Sequence, residues 1–524
     1  MGNPPIVEYE VQLKMAEQTK QSNSKSAMLS FKETIESLVI AFILAFIFRA
    51  FVVEAFVIPT GSMADTLRGA HFRLVCPACS YEFNFRFRSN GSERNEVIPN
   101  TKQNTYEGFN HSYIPICPMC GTEIDNSKRW VSNGDRILVL KYLYQFTEPK
   151  RWDVVVFKNP SDPTENYIKR LIGKPGEEVQ ILDGDVYIDD EIQRKPKHVQ
   201  DVLWICAYHS DYQIPSELES NRKKEDWDDP FVPQNPNSAW EFNSATRYFE
   251  FAGSETPNLM DFKSDRIKKF THSFCAYNGQ QSYYTAIVSD LKISGLLTPS
   301  ASQGYLALLL GKYDHTYQAK INFNGQCSIS EVDTRKNSII REITAKKFPA
   351  LTPGKTIQVS FEVVDHSLRL YLGNEEPLEH FGPNDPKAWG YDFDSQQPQY
   401  PTIALVGQGS AFQFKRVAIY RDVHYTNEQH GPEKLKRGTE GLPFTLKKNE
   451  FFVLGDNSPE SFDSRFWNKT GKRNGKAEPY RMGVVPRDYL IGRAFFVYWP
   501  GGFHLADWMP YAVIPNFANM RFIH

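Results

Sequence analysis

Three shortages narrow what this chain can be. Basic charge is not in excess: 60 Lys and Arg face 62 Asp and Glu, a formal net charge of −2, which offers no positive field for nucleic acid. Long apolar runs are scarce. The segment Leu38–Phe48 (LVIAFILAFIF) is free of charge but shorter than the roughly 20 residues a spanning helix needs. Histidine occurs twelve times without metal-type spacing, so a metal-dependent hydrolase lacks an open ligand set.

What is present is a chain of 524 residues, enough for two or three domains. Aromatics make up 14% of it, and its later two-thirds reads as short β-type runs broken by Gly, Pro and Asn, so a mainly β fold follows. The short apolar run is extended by Ile35, Ala50–Val53 and Ala55–Val57, with Arg49 and Glu54 able to snorkel, and a single transmembrane anchor over 35–55 is expected. Lys14, Lys20, Lys25 and Lys32 precede it and favour a cytoplasmic N-terminal segment, 1–34, with an exported body. A cleaved secretory signal and a buried core helix are the other readings of the run.

The anchor leads directly into Ile58-Pro59-Thr60-Gly61-Ser62-Met63, a turn that sets one serine just beyond the membrane surface. Gly61 can bend this turn and Pro59 can stiffen it; most serines in such turns are only turn residues. No Gly-x-Ser-x-Gly elbow surrounds Ser62, which disfavours an α/β-hydrolase. A second segment, Tyr167-Ile168-Lys169-Arg170-Leu171-Ile172-Gly173, reads as a strand on which Tyr167, Lys169 and Leu171 share a face. A lysine held between an aromatic and a leucine is a candidate for desolvation, which would lower its pKa towards that of a general base, although surface lysines snorkel on sheets in the same pattern. A third segment, Gly455 to Arg465 (GDNSPESFDSR), packs turn formers, hydroxyls and an Asp–Arg pair into one loop able to orient a neutral amine. Alone, that loop equally suits a calcium-type or purely structural turn.

Taken together and in order, the three segments resemble bacterial type I signal peptidases, membrane-bound Ser/Lys endopeptidases that remove signal peptides from exported preproteins. The matching pieces are Ser62-Met63, Tyr167 to Arg170, and Gly455 to Asn457 with Ser461 to Arg465. Arg151 to Phe157, Pro175-Gly176-Glu177 and Gly483 to Pro500 support them. The resemblance covers residues 31–75, 130–195 and 445–500. It implies Ser62 as nucleophile and Lys169 as general base, Ser461 orienting Lys169, and an oxyanion held by the Ser62 N–H and the Thr60 hydroxyl. It implies further that Gly455, Asp456, Asn457, Asp463, Ser464 and Arg465 support the site, and that Phe56, Val57, Ile58 and Pro59 line a cleft that pairs with an extended substrate. Preproteins ending in Ala-X-Ala, the lipid bilayer, a location on the outer face of the bacterial plasma membrane, and catalysis without a cofactor are implied as well. A proline usual in the family after the nucleophile is replaced by Asp65.

Two stretches interrupt the resemblance and leave catalytic parts at 56–75, 130–201 and 447–524. The first, 76–129, carries Cys76-Pro77-Ala78-Cys79 and Cys117-Pro118-Met119-Cys120, the two pairs separated by 37 residues. Cys76, Cys79, Cys117 and Cys120 can supply the four-sulfur shell of a structural zinc in a small ribbon, with disulfides in an oxidising exterior as the alternative. The second, 202–446, reads as an independent β domain with strands at Trp240–Phe251, Tyr305–Leu310, Thr356–Val364, Leu368–Leu372, Thr402–Val406 and Phe412–Tyr420, in an order resembling concanavalin-like or laminin-G-like jelly-roll sandwiches. Such domains bind glycans or proteins in some cases, which keeps a rival function open: a membrane-tethered binding protein on a retained peptidase scaffold. The acidic stretch Asp183 to Asp190 reads as a hairpin around Val186-Tyr187-Ile188 rather than a calcium loop. The segment from Trp499 through Trp508 and Tyr511 is either bilayer-grazing or ordinary packing.

Overall fold

The computed structural model describes residues 31–44, 46, 53–86, 115–124, 131–213, 230–264, 270, 275–278, 287–334, 336, 338–391, 400–426, 436–469, 471, 479–502 and 516–524. Lys14, Lys20, Lys25, Arg49, Trp508 and Tyr511 lie outside them. The described chain is mainly β.

A sheet of eight strands forms the frame for the resemblance segments. Its order is Val53–Val57, Arg136–Leu140, Leu490–Trp499, Val154–Lys158, Asn166–Gly173, Glu450–Leu454 and Val485–Pro486, with Arg521–Phe522 added beside Leu490–Trp499. Period-two patterning explains the strand Arg136–Leu140, whose Ile137 and Val139 are buried while their neighbours are half-buried. Val154–Lys158 is instead buried along almost its whole length, as a central strand covered on both faces must be. A smaller sheet of Glu191–Ile192, Asp185–Ile188, Glu178–Leu182 and Phe444–Thr445 packs beside it, which makes the Asp183 to Asp190 stretch a hairpin.

The expected end of the anchor is corrected. Val53–Val57 is a β-strand, paired antiparallel with Arg136–Leu140 from Val53↔Leu140 to Val57↔Arg136. Glu54 meets Lys141 at 3.2 Å rather than reaching for headgroups. A helix cannot run to residue 55, because the β-prone pattern Val-Glu-Ala-Phe-Val finds a partner strand there. Residues 31–44 are helical, with Leu38, Phe42 and Leu44 all exposed. Among the described residues no helix is long and apolar enough to cross a membrane.

Within 202–446, two antiparallel sheets of eight and seven strands share one apolar core, to which Phe249, Leu297, Leu308, Phe361, Leu405 and Phe414 contribute. The expected single strand Trp240–Phe251 is a hairpin of Trp240–Asn243 and Tyr248–Phe251. Asn243 breaks it: its Oδ1 accepts from the amides of Ala245 and Thr246, and Arg247 takes a left-handed φ of 62°. Entry and exit of the insert are neighbours, since Ile205–His209 pairs with Phe412–Arg421 in the register Ile205↔Arg421. From Val423 onward, side chains pack with Trp152, Ile172 and Leu454 of the frame, so the insert's own core ends earlier than residue 446.

The joint between frame and insert is ionic and buried. Lys195 lies 2.8 Å from Asp422 and also pairs with Asp365, while Lys312 pairs with Asp290 and sits 3.6 Å from Asp185. Tyr313 donates its hydroxyl hydrogen to Asp183. Burial raises the carboxyls of Asp183 and Asp422 to about 7 and about 6. Removing one partner of such a cluster strands the opposite charge, at a cost of about 3–5 kcal/mol. Lys195→Met is therefore expected to lower stability by about that amount in urea unfolding. Lys336→Met, at the exposed pair with Asp333, should cost less than ~1 kcal/mol. Equal losses in the two variants would refute the joint's role.

Candidate active site

Three loops of the frame meet at Ser62. The turn that carries it follows the edge strand and is tied back by Ile58, whose amide donates to Asp135 O at 2.8 Å, and by Leu67, whose amide donates to Met63 O at 2.8 Å. Met63 and Leu67 are fully buried and anchor the turn from beneath. Gly134 has to be glycine, because a Cβ there would lie 1.9 Å from Ile58 O. Asp65, at the position where the resemblance leads one to expect proline, is exposed and only 3.6 Å from Arg68 Nε.

Lys169 reaches the turn from the strand Asn166–Gly173. Its Nζ donates to Ser62 Oγ at 2.6 Å and to Ile168 O at 3.1 Å, and lies 5.7 Å from the centre of the Tyr167 ring. Lys169 and Ser62 are 5% and 9% exposed. Burial pushes the ammonium pKa of Lys169 down to about 8, against the pull of Asp463 and Asp456 and with the help of Arg465.

The loop 455–465 is held by two buried ion pairs. Arg170 grips Asp456 with both arms, Nε to Oδ1 and Nη2 to Oδ2 at 2.7 Å each, and donates through Nη1 to Trp152 O and His524 O. Arg465 grips Asp463 within the loop at 2.9 and 2.7 Å and reaches Thr426 O at 2.6 Å. Gly455 N donates to Asp463 Oδ2, and Val453 N donates to Ser464 Oγ. Ser461, which the resemblance assigns to orienting Lys169, donates its hydroxyl hydrogen to Asp463 Oδ2 at 2.7 Å. Asn457 holds the backbone around Ser62: its backbone amide donates to Ser62 O at 3.1 Å and its Nδ2 to Gly61 O at 2.9 Å.

The cleft residues separate by depth. Ile58 is buried, Phe56 is half-buried, and Val57, Pro59 and Thr60 are exposed. Among the described residues, Val53–Val57 lies at the end of its sheet with one partner strand. Three residues at this centre have roles that the sequence did not reveal. Arg170 sits within the Tyr-Ile-Lys-Arg segment without any hint of its partner. Tyr277 and Asn278 lie in the 202–446 insert, yet Tyr277 rests against Gly61 of the Ser62 turn and Asn278 bonds Asn457, across sequence separations that no local pattern reveals.

Cys76, Cys79, Cys117 and Cys120 form a separate buried cluster with all four sulfurs within 4.8 Å of one another. The closest pairs run between the two motifs, Cys76 to Cys120 and Cys79 to Cys117, at 3.5 Å each. Disulfides would need ~2.05 Å, whereas four sulfurs around one tetrahedral metal at ~2.3 Å stand about 3.8 Å apart. Ser80 and Gly121 follow the two motifs with left-handed φ of 63° and 76°, and donate their amides to Cys76 O and Cys117 O. The two turns thus have the same shape, which suits a shared ion.

The model of the family "Signal peptidase, peptidase S26" matches residues 31–98, 116–234 and 397–499, more than half of the chain. Signal peptidase I of Rickettsia massiliae (strain Mtu5) is 28% identical over 174 residues, 33% of this chain and 47% of that relative. Signal peptidase I of Rickettsia bellii (strain OSU 85-389) is 28% identical over 177 residues, 34% of this chain and 45% of that relative. The chain thus spans about half the length of the curated relatives it matches. Among solved structures, a carbohydrate binding module, CBM66 from Bacillus subtilis, covers 36% of this chain and 93% of its own at 12% identity, with a TM-score of 0.23. On the family match, and with the matched segments carrying the Ser62, Lys169 and 455–465 loops, the chain belongs to the signal peptidase family, peptidase S26.

Proposed function

We propose that the chain is a type I signal peptidase that cuts signal peptides from exported preproteins with a Ser62–Lys169 dyad. The observation that carries this reading is the 2.6 Å contact between Lys169 Nζ and Ser62 Oγ inside a site dry enough to lower the lysine to about 8. Near that pH a sizeable fraction of the amine is neutral. The bond then runs the other way, with the Ser62 hydroxyl donating to the Nζ lone pair, as a general base requires.

Ser62 Oγ attacks the scissile carbonyl carbon while its proton passes to Nζ. Lys169 then gives that proton to the leaving amine, and the acyl-enzyme is hydrolysed by a water that Lys169 deprotonates. The Ser62 N–H and the Thr60 hydroxyl receive the oxyanion, a contribution typically worth about 3 kcal/mol for each donor. Asp456, Asp463 and Arg465, with Arg170, Ser461 and Ser464, hold the loop, and Asn457 holds the peptide units on both sides of the Ser62 carbonyl-bearing turn. The open edge of Val53–Val57 accepts the substrate as an added strand, with Phe56, Val57, Ile58 and Pro59 alongside it and small pockets suited to Ala-X-Ala ends. The exposed apolar helix 31–44 supports an anchor in the bacterial plasma membrane with the body outside. Cys76, Cys79, Cys117 and Cys120 would hold zinc in a closed structural site, where the ion stabilises the ribbon and leaves the Ser62 chemistry to the protein. The two-sheet insert reads as a β-sandwich.

Cleavage of a detergent-solubilised Ala-X-Ala preprotein should fall about 10³-fold or more in folded Ser62→Ala and in folded Lys169→Ala. Survival of processing in both variants would transfer the function to the insert. The pH dependence has a definite sign. Since the base is active when neutral, kcat should rise about tenfold per pH unit below a midpoint near 8 and level off above it. A midpoint near that of a free lysine, ~10.4, would contradict a desolvated base. Metal analysis of the purified chain should find about one zinc, lost in Cys117→Ser. A metal-free protein with all four thiols titratable would remove the zinc reading and leave the dyad untouched.

A further inference from the structure

We propose that Cys275–Asn278 of the two-sheet insert is a positioning element of the active site, and that Asn278 sets the Ser62 turn through Asn457. This rests on the peptidase reading of Ser62. Asn278 and Asn457 face each other as a reciprocal amide pair. Asn278 Nδ2 donates to Asn457 Oδ1 at 2.7 Å, and Asn457 Nδ2 donates back to Asn278 Oδ1 at 2.8 Å. The second hydrogen of Asn457 Nδ2 goes to Gly61 O at 2.9 Å, and the Asn457 backbone amide goes to Ser62 O at 3.1 Å. Both asparagines are buried.

The arrangement leaves Asn457 little freedom. Its Oδ1 accepts from Asn278 Nδ2, and a buried acceptor deprived of its donor is costly enough for the amide to turn in search of one. A turned amide would present oxygen to Gly61 O and push apart the two groups that now hold the nucleophile's peptide. Tyr277 acts on the same turn by shape. Its ring is fully buried, and a Cβ on Gly61 would lie 2.4 Å from Tyr277 Cε1, so the ring rests against the Gly61 backbone. Tyr277 also packs with Ala64 and Cys275. The element is itself braced. Asn278 N donates to Cys275 O at 3.0 Å, Arg86 N donates to Tyr277 O at 2.7 Å, and the Arg86 guanidinium reaches Glu460 of the catalytic loop at 2.8 Å. The loop therefore stands between the cysteine-bearing region and the 455–465 loop, with the nucleophile's turn against its tip. A displacement of about 1 Å at a reacting group can cost on the order of 10²-fold in rate, so a small shift here is enough to matter.

The test uses the full chain in detergent and an Ala-X-Ala preprotein, with Asn278→Ala, the near-isosteric Asn278→Leu, Asn457→Ala and the Asn278→Ala/Asn457→Ala double variant. Thermal midpoints verify folding. Both Asn278 variants should lose about 10- to 100-fold in kcat, with KM within about threefold and the pH midpoint unmoved. The double variant should be no slower than Asn457→Ala by more than about twofold, because one residue acts through the other. A kcat within twofold of wild type in both folded Asn278 variants would overturn the proposal and leave the peptidase reading intact. So would losses that multiply in the double variant. Wild-type cleavage that is absent, or unaffected by Ser62→Ala, would be failure of the peptidase reading itself and would take this proposal with it.

Discussion

Burial of the Lys169 ammonium against Ser62 is the constraint around which the rest of the frame is arranged. A lysine 5% exposed, with Asp456 and Asp463 nearby, would ordinarily be held charged by those carboxylates. Here each carboxylate is committed elsewhere, Asp456 to both arms of Arg170 and Asp463 to Arg465, so each acid arrives with its own guanidinium. Desolvation then outweighs the residual attraction, and the lysine settles at about 8. The two ion pairs thus have an electrostatic consequence as well as a mechanical one. They let acidic residues shape the loop while the neighbouring lysine stays below its ordinary pKa.

The same frame tolerates two large inserts because of where they leave it. The two-sheet insert starts and finishes on adjacent antiparallel strands, Ile205–His209 and Phe412–Arg421, so its ends leave the frame side by side. Its core is its own, and the charges of Lys195, Lys312, Asp290, Asp365 and Asp422 fasten it to the strand that carries Asp185. Ion pairs of this kind resist sliding more than an apolar patch does, since any displacement exposes unpaired charge in a dry place.

Legibility of the chain followed the range of the forces involved. The Ser62 turn, the Lys169 strand and the 455–465 loop were readable because each is a short run whose residue types carry chemistry on their own. The strands of the insert were readable from alternation, and the twelve-residue Trp240–Phe251 run was misread as one strand because Asn243 breaks it by side-chain bonds to Ala245 and Thr246, which apolar periodicity does not register. The anchor was carried too far because Val53-Glu-Ala-Phe-Val is apolar enough to extend a helix and β-prone enough to pair, and its partner at Arg136–Leu140 decided the matter from 80 residues away. Ser461 was assigned to the lysine on resemblance, while the nearer Asp463 takes its hydrogen. Arg170 with Asp456, and Asn278 with Asn457, are pairings across 286 and 179 residues. Nothing local encodes them.

Asp65 links these observations. The resemblance leads to a proline after the nucleophile, whose fixed φ would hold the turn from within the chain. This chain has an exposed aspartate there, with a loose 3.6 Å contact to Arg68, so the turn lacks a ring that would fix φ at that position. Bonds within the turn, from Ala64 N to Gly61 O and from Leu67 N to Met63 O, supply part of the restraint, and packing adds to it. Met63 and Leu67 pack from below, Asn457 bonds from the side, and Tyr277 lies against Gly61. In this molecule one such neighbour, Tyr277, belongs to the insert.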